Sequence, residues 1–153
     1  MTMQNIGLPK RFARKVFQGP KGKCWIWTGA IADDGYGRFY LHQGPGGVVR
    51  PHRYLYEIAS GTTLNANEEL LHMCDVTICV NPEHLSPGSK SDNMQDRSGK
   101  RRFNNGHGIR GMDRQGRALR ARHLRDEIIA NGWNQDRISN ILAGVTADQE
   151  TLF

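Results

Sequence analysis

The chain has 153 residues, of which 37% are hydrophobic, and a formal net charge of +6. This length allows one modest globular core, and no apolar run approaches the length of a membrane span. The N-terminus also lacks the apolar segment of a secretory signal, so we expect a cytoplasmic protein without a membrane partner.

Basic residues are unevenly distributed along the chain. Residues 1–23 contain six Lys or Arg and no acid, residues 24–96 contain four against nine acids, and residues 97–125 contain ten against one. Basic flanks around an acidic centre are typical of proteins that bind double-stranded DNA, although such runs can also be merely solvated or bind RNA. We divide the chain into a basic N-terminal arm (1–23), a central domain (24–97), a basic flexible linker (98–116) and a C-terminal helical segment (117–153).

The first predicted elements belong to an α+β protein. Residues 10–17 favour a short basic helix, and residues 25–28 and 36–41 favour two strands of a hairpin with its turn at residues 33–35. Residues 51–60 have a helical pattern, with Pro51 in the first turn and Gly61 at the end. His52 in this helix is expected to be a structural histidine and not a second base.

Three of the next polar residues have the spacing of metal ligands. Cys74, Cys79 and His84 follow one another with four residues between neighbours, and an odd number of cysteines cannot close into intramolecular disulfides alone. Cys24 would complete a Cys3His set for one structural zinc ion. The alternative is that Cys24 and Cys79 are small buried hydrophobic residues and that His84 is a core histidine.

The segment with Cys74, Cys79 and His84, called the zinc loop below, lies within a predicted unit of strand, loop, strand and helix. Residues 69–72 form the first strand, in which His72 points away from Leu71 and toward solvent. Residues 87–89 break the following strand, and residues 89–92 have the form of a helix N-terminal capping box. Asn93 would then lie in the second turn of a short helix, facing His72.

Together these landmarks resemble the HNH or His-Me finger nucleases, whose core is a ββα-metal motif. The similarity is closest to the zinc-binding His-Cys box homing endonucleases and to small phage HNH proteins. It runs through Cys24-Trp25-Ile26-Trp27-Thr28-Gly29, Gly35-Tyr36-Gly37-Arg38-Phe39, His52-Arg53-Tyr54-Leu55-Tyr56-Glu57, Leu71-His72-Met73-Cys74, Cys79-Val80-Asn81-Pro82-Glu83-His84-Leu85 and Ser91-Asp92-Asn93-Met94.

The resemblance implies roles for individual residues. His72 would be the general base that activates water, and Asn93 would bind the catalytic Mg²⁺ or Mn²⁺ ion. Arg38 would contact the scissile phosphate, and Asn81 would brace the loop. Many HNH enzymes carry an acidic or histidine metal ligand just before the base, whereas here that position is Leu71. The catalytic ion would therefore have one protein ligand.

The C-terminal third is predicted to contain an extended arm and two helices. Residues 98–116 have almost no aliphatic side chains, so we expect an arm that contacts DNA. Helical periodicity then continues to Asn131 and resumes after an Asn134 cap. The second part resembles the helix-turn-helix that follows some phage HNH domains, but a packing or dimerisation element fits equally well. The arginines expected to contact DNA are Arg101, Arg102, Arg110, Arg114 and Arg117.

These features predict a phage or mobile-element DNA endonuclease in the bacterial host cell. It would leave 5′-phosphate and 3′-hydroxyl ends and act as a nickase or as a homodimer that makes paired cuts. Two alternatives stay open: a catalytically silent zinc DNA-binding protein, and a packaging or regulatory protein that acts through another phage protein.

Overall fold

The structure is a computed structural model that describes residues 6–89 and 113–144. These residues form a mixed α+β fold, as the sequence predicts. None of the described helices is long and apolar enough to cross a membrane. In chain order the elements are α1 (Lys10–Ala13), β1 (Val16–Gln18), β2 (Trp25–Trp27), β3 (Phe39–Tyr40), β4 (Val48–Val49), α2 (Pro51–Ser60), β5 (Glu68–His72), a 3₁₀ turn (Pro82–His84), β6 (Leu85–Ser89), α3 (Arg114–Asn131) and α4 (Gln135–Leu142).

The described strands form three antiparallel pairs, β1 with β2, β3 with β4, and β5 with β6. In the last pair His72 lies opposite Leu85 and Glu68 lies opposite Ser89. The loop that carries Cys74 and Cys79 connects β5 to the 3₁₀ turn that leads into β6. The helix of the predicted ββα unit, including Asn93, lies outside the described residues.

One hydrophobic core joins the N-terminal, central and C-terminal parts of the chain. Phe12 and Trp27 are fully buried at its centre, and their ring centroids are 5.0 Å apart. Leu124 and Ile128 of α3 and Ile141 of α4 belong to the same core. Ile6 and Phe12 of the basic N-terminal arm are therefore buried in the same core as the central strands.

The predicted N-terminal helix and hairpin are partly wrong. The helix ends at Ala13, and Val16 and Phe17 instead form β1 beside β2, because β-branched and aromatic residues suit a half-buried strand. The turn at residues 33–35 is present, but it links Ile31 to Gly37 and does not pair the two predicted strands.

The reason is that both edges of β2 already have partners. On one edge β2 pairs with β1. On the other, the Trp27 N–H donates to the Ile78 carbonyl at 2.9 Å, and the Val80 N–H donates to the Trp25 carbonyl at 2.7 Å. The predicted strand 36–41 is reduced to β3, which pairs with β4.

Two further boundaries differ from the predictions. Pro87 and Gly88 do not break β6, where they lie opposite Leu70 and Glu69. Proline is tolerated in a strand where its nitrogen need not donate to the ladder. Helix α3 begins inside the predicted linker, at Arg114, because the Asp113 carboxylate accepts a hydrogen bond from the Gly116 N–H at 2.8 Å and caps the helix.

Other predictions are confirmed. Helix α2 spans Pro51–Ser60 and ends at Gly61, whose φ of 72° is the left-handed conformation that glycine adopts readily. Helix α3 ends at Asn131, and the Asn134 side chain caps α4 by accepting a hydrogen bond from the Arg137 N–H at 3.0 Å.

Candidate metal centre and adjoining histidine

Four predicted metal ligands converge in the structure. The ligand atoms of Cys24, Cys74, Cys79 and His84 all lie within 4.8 Å of one another. Cys24 immediately precedes β2, the other two cysteines lie in the loop after β5, and the histidine lies in the 3₁₀ turn. The prediction that distant Cys24 joins the loop ligands is confirmed, and this Cys3His group could hold a metal ion such as zinc.

Distances within the group fit tetrahedral zinc. His84 Nδ1 is 3.6 Å from Cys24 Sγ and 3.5 Å from Cys79 Sγ. With Zn–S bonds of ~2.3 Å and Zn–N bonds of ~2.0–2.1 Å, a tetrahedral angle places sulfur and nitrogen ~3.5 Å apart. The His84 nitrogen is therefore already spaced from two of the sulfur atoms as a zinc ligand would be.

A hydrogen bond on the far side of the His84 ring selects its ligand nitrogen. His84 Nε2 lies 3.1 Å from the Gly22 carbonyl oxygen, and a carbonyl can only accept, so Nε2 carries the proton. The neutral ring then presents the lone pair of Nδ1 to the three sulfur atoms. Such outer hydrogen bonds are typical of histidines that bind metal ions.

The three thiols perturb one another's ionisation. Hydrogen bonding from Cys24, and then from Cys79, lowers the pKa of Cys74 to about 2. The same contacts raise the pKa of Cys24 to about 12, through its bond to Cys74, and raise the pKa of Cys79 far above its ordinary value. Three sulfurs at this distance therefore share a negative charge, and a bound cation would allow all three to be thiolates.

Backbone and side-chain hydrogen bonds hold the loop against β2. The Cys79 backbone forms a bridge opposite Ile26, which brings its sulfur beside that of Cys24. Asn81 is buried; its side-chain amide donates to the Lys23 carbonyl at 3.0 Å and its side-chain oxygen accepts from the Glu83 N–H at 3.0 Å. Asn81 thus connects the chain before Cys24 to the 3₁₀ turn.

His72 lies beside this centre but is buried. It points away from Leu71 as predicted, yet only 7% of it is exposed, so the prediction that it faces solvent is wrong. The reason is the strand alternation itself: residues 70 and 72 share one face, and Leu70 packs with Leu64 and Leu85 in a second, smaller hydrophobic cluster. His72 Nε2 lies 3.0 Å from the Cys79 carbonyl oxygen and must donate to it, which makes Nδ1 the basic nitrogen.

The structure also places two aromatic rings beside His72 that no sequence pattern associates with it. His52 and Tyr36 have ring centroids 4.8 Å and 5.8 Å from that of His72. They come from α2 and from the turn before β3. Because these three residues lie far apart in sequence, no spacing signal predicts the cluster. His52 itself is buried, as expected of a structural histidine.

Three of the other predicted catalytic and DNA-contacting residues lie in the described part of the chain. Arg38 is exposed just before β3, and its backbone N–H donates to the Ala30 carbonyl at 2.9 Å. Arg114 is exposed and Arg117 half-buried in the first turns of α3. Four further predicted residues lie outside the described part of the chain, namely Asn93, Arg101, Arg102 and Arg110.

Two other arginines of the basic C-terminal segment have structural contacts. Arg120 donates to the Asp75 carbonyl at 2.9 Å and to the Leu142 carbonyl at 3.4 Å. Arg125 donates to the Gly29 carbonyl at 3.3 Å. These guanidinium groups fix α3 to the loop after β5, to α4 and to the chain after β2. Part of the positive charge in this segment therefore has a structural role and is not available to bind DNA.

Comparison with known proteins finds two relatives from Escherichia phage T7. The chain is 37% identical to Protein 2.8 over 90 residues, which cover 59% of this chain and 60% of the T7 protein. It is 37% identical to Protein 7.7 over 73 residues, which cover 48% of this chain and 53% of that protein. The chain thus spans between half and two thirds of the curated relatives it matches. No protein-family model and no solved structure matches it.

Proposed function

We propose that this protein is a metal-dependent DNA endonuclease of the HNH or His-Me finger type, with His72 as general base and a structural zinc ion in the Cys3His group. The observation that carries the proposal is the hydrogen bond from His72 Nε2 to the carbonyl of Cys79. It joins a histidine with a defined basic nitrogen to the loop that presents the candidate zinc ligands.

His72 is suited to general base chemistry in its neutral form. A neutral imidazole can take a proton from water through its unprotonated nitrogen. With Nε2 donating to Cys79, Nδ1 is the nitrogen that would accept that proton, and the bond at Nε2 also supports the imidazolium that forms. Attack of the resulting hydroxide on phosphorus would expel the 3′ oxygen and leave 5′-phosphate and 3′-hydroxyl ends.

Zinc, when bound, would supply structural support for this base. Cys79 presents its sulfur to the metal group and its backbone carbonyl to His72. A loop held by four ligands is stiffer than the same loop held by its few buried apolar residues. The Cys3His group would therefore fix the position of the Cys79 carbonyl that orients His72. The group itself would not contact the phosphate.

The remaining catalytic roles come from the resemblance. Asn93 offers an oxygen ligand of the kind that Mg²⁺ or Mn²⁺ accepts, and this second ion would stabilise charge on the phosphate and leaving oxygen. Arg38 is exposed and offers a planar fork of donors for phosphate oxygens. Arg101, Arg102, Arg110, Arg114 and Arg117 would bind DNA phosphates.

The two T7 relatives support a phage setting, and their names state no activity. We therefore propose that the protein acts on double-stranded DNA inside the infected bacterial cell. Whether one chain nicks the duplex or two copies make paired cuts is an outcome of the assay below.

A catalytically silent DNA-binding protein is the second candidate, favoured by the burial of His72. A plasmid-nicking assay with Mg²⁺ separates the two functions. Wild-type protein and His72→Ala are compared with His123→Ala, which removes an exposed histidine of α3. Nicking by wild type and His123→Ala, but not by His72→Ala, supports the endonuclease. DNA binding by all three proteins without nicking supports the silent protein.

A further inference from the structure

Three rings from separate elements form one cluster beside the zinc loop. Tyr36 precedes β3, His52 lies in the first turn of α2, and His72 ends β5. The ring centroids of His52 and His72 are 4.8 Å apart, and Tyr36 lies 5.5 Å from His52 and 5.8 Å from His72. His52 is 8% exposed, and among the described residues its buried Nδ1 has no hydrogen-bond partner.

A histidine is a costly residue for this position. Leucine would fill the space without burying a polar nitrogen that lacks a partner, but it has no flat ring. Burial lowers the pKa of His52 well below its ordinary value, so the ring is neutral near neutral pH. A neutral, flat ring can lie against His72 without opposing the positive charge that His72 takes up as a base.

The hydrogen bond to Cys79 does not by itself fix the plane of the His72 ring. Nε2 lies close to the Cβ–Cγ axis, so rotation about that bond turns the ring while it moves Nε2 little. This torsion is broad for histidine, with no sharp staggered minima. Ring contacts therefore help to set its plane, and His52 provides the nearest of those described, with its ring tilted 43° to that of His72.

We infer that His52 is a positioning residue for His72, whose flat ring holds the His72 imidazole in the plane in which Nδ1 serves as the base. His52 acts only through His72 and contacts neither the phosphate nor an ion. Tyr36 supports the same cluster from the turn before β3. The inference rests on the proposed nuclease function, but nuclear magnetic resonance can test it independently of cleavage.

Three variants of His52 separate a flat ring from simple bulk. His52→Phe keeps a planar ring, whereas His52→Leu and His52→Gln keep volume without one. Cleavage kinetics are measured well below the melting temperature of each variant, with zinc content as the control for folding. We expect His52→Phe to keep kcat within about threefold, and the other two to lower kcat ~10–100-fold with KM unchanged, since small misplacement of a catalytic group has effects of this size.

Nuclear magnetic resonance gives the readout that does not depend on cleavage. The Nε2 proton of His72, assigned by its loss in His72→Ala, should exchange slowly in wild type and in His52→Phe. It should exchange rapidly or broaden in His52→Leu and His52→Gln. If wild type fails to cut DNA, this pattern still supports the positioning role, and only the proposed function is lost.

Two results would overturn the inference. In the first, His52→Leu and His52→Gln keep the wild-type kcat and the slowly exchanging His72 proton. In the second, His52→Phe loses as much kcat as His52→Leu, which would show that an imidazole nitrogen, and not a flat ring, is required. If either ringless variant fails to fold with its zinc, the other one decides.

Discussion

At the scale of single residues, Cys79 has two functions in the proposed site. Its sulfur faces the other candidate zinc ligands, and its carbonyl accepts the hydrogen bond of His72. Its backbone also bridges to Ile26 of β2. The position of the proposed base therefore depends on one residue that links the metal group, the loop and the sheet.

Loss of a zinc ligand should lower the free energy of unfolding by more than the burial of that side chain alone predicts. We expect Cys74→Ser to reduce bound zinc far below one ion per chain and to lower the free energy of unfolding by more than ~3 kcal/mol, beyond the range of most single substitutions. Elemental analysis and chemical denaturation measure the two effects. The adjacent Met73, which is 58% exposed, gives the control Met73→Ser, which should keep its zinc. Folded wild-type protein without zinc would contradict this prediction.

Asn93 is expected to act through the catalytic ion and not through the zinc. Asn93→Ala should slow cleavage by weakening that ion, so higher Mg²⁺ or Mn²⁺ concentrations should restore part of the rate. The measurement is the cleavage rate as a function of metal concentration. The same titration should restore nothing in His72→Ala, where the base is missing. A rate for Asn93→Ala that does not respond to metal would exclude this role.

The candidate zinc ligands could be predicted from sequence because their chemistry and spacing restrict one another. Cys74, Cys79 and His84 share one loop, and the need for a fourth ligand pointed to Cys24. The exposure of His72 could not be predicted in the same way. Alternation shows that it points away from Leu71, but which face is buried depends on tertiary packing, here of Leu70 with Leu64 and Leu85.

At the scale of elements, a buried carboxylate joins the two C-terminal helices. The Glu127 side chain of α3 is 3% exposed, forms an ion pair with Arg137 of α4 and accepts a hydrogen bond from Asn131. The hydrogen bond from Asn131, and then the contact with Arg137, lower the pKa of Glu127 below its ordinary value. The ionised form of Glu127 therefore stabilises the helix pair.

The pH dependence of stability tests this contact. Because the folded-state pKa is lowered, the contribution of Glu127 is complete above its ordinary pKa of 4.5 and is lost as the pH falls through the folded value. Wild type should thus be more stable than Glu127→Gln at pH 7, and the difference should shrink below about pH 4.5. Denaturation at several pH values measures it. The exposed Glu83 supplies the control Glu83→Gln, for which a similar loss would contradict the account.

Element identity was predictable where the signal is local. The Asn134 cap and the end of α2 at Gly61 follow from side-chain and backbone preferences of a few residues. The pairing of β2 was not predictable, since its two edges are filled by β1 and by residues 78–80, which come from opposite sides in sequence. Short strands of two or three residues also give little periodicity to detect.

At the scale of the whole molecule, the candidate nuclease centre and the C-terminal helices form one body. Phe12 near the N-terminus and Leu124 of α3 are buried in the same core as Trp27. Arg120 adds a hydrogen bond from α3 to the Asp75 carbonyl in the loop after β5. Residues 90–112 lie between the two described segments. We expect the charge that contacts DNA to be concentrated in this basic stretch.

A linker replacement tests whether this stretch supplies affinity without sequence preference. Residues 98–112 contain four Lys or Arg and no acid, and a Gly/Ser segment of equal length would leave Asp113 and α3 intact. We expect weaker binding to all DNA sequences alike and a shallower salt dependence, because each lost phosphate contact changes the slope of log K against log salt by ~0.9. Titrations at several salt concentrations measure both. A changed site preference with an unchanged salt slope would show that the stretch reads bases.

The central claim is that His72 is the base of a DNA-cleaving centre. Its most direct test is the initial cleavage rate of His72→Ala relative to wild type, at equal zinc content, saturating DNA and the same Mg²⁺ concentration. Removal of a general base typically reduces the rate ~10²–10⁴-fold, so we predict a loss of that size with DNA binding and zinc content unchanged. A His72→Ala protein that cuts DNA as fast as wild type would contradict the claim.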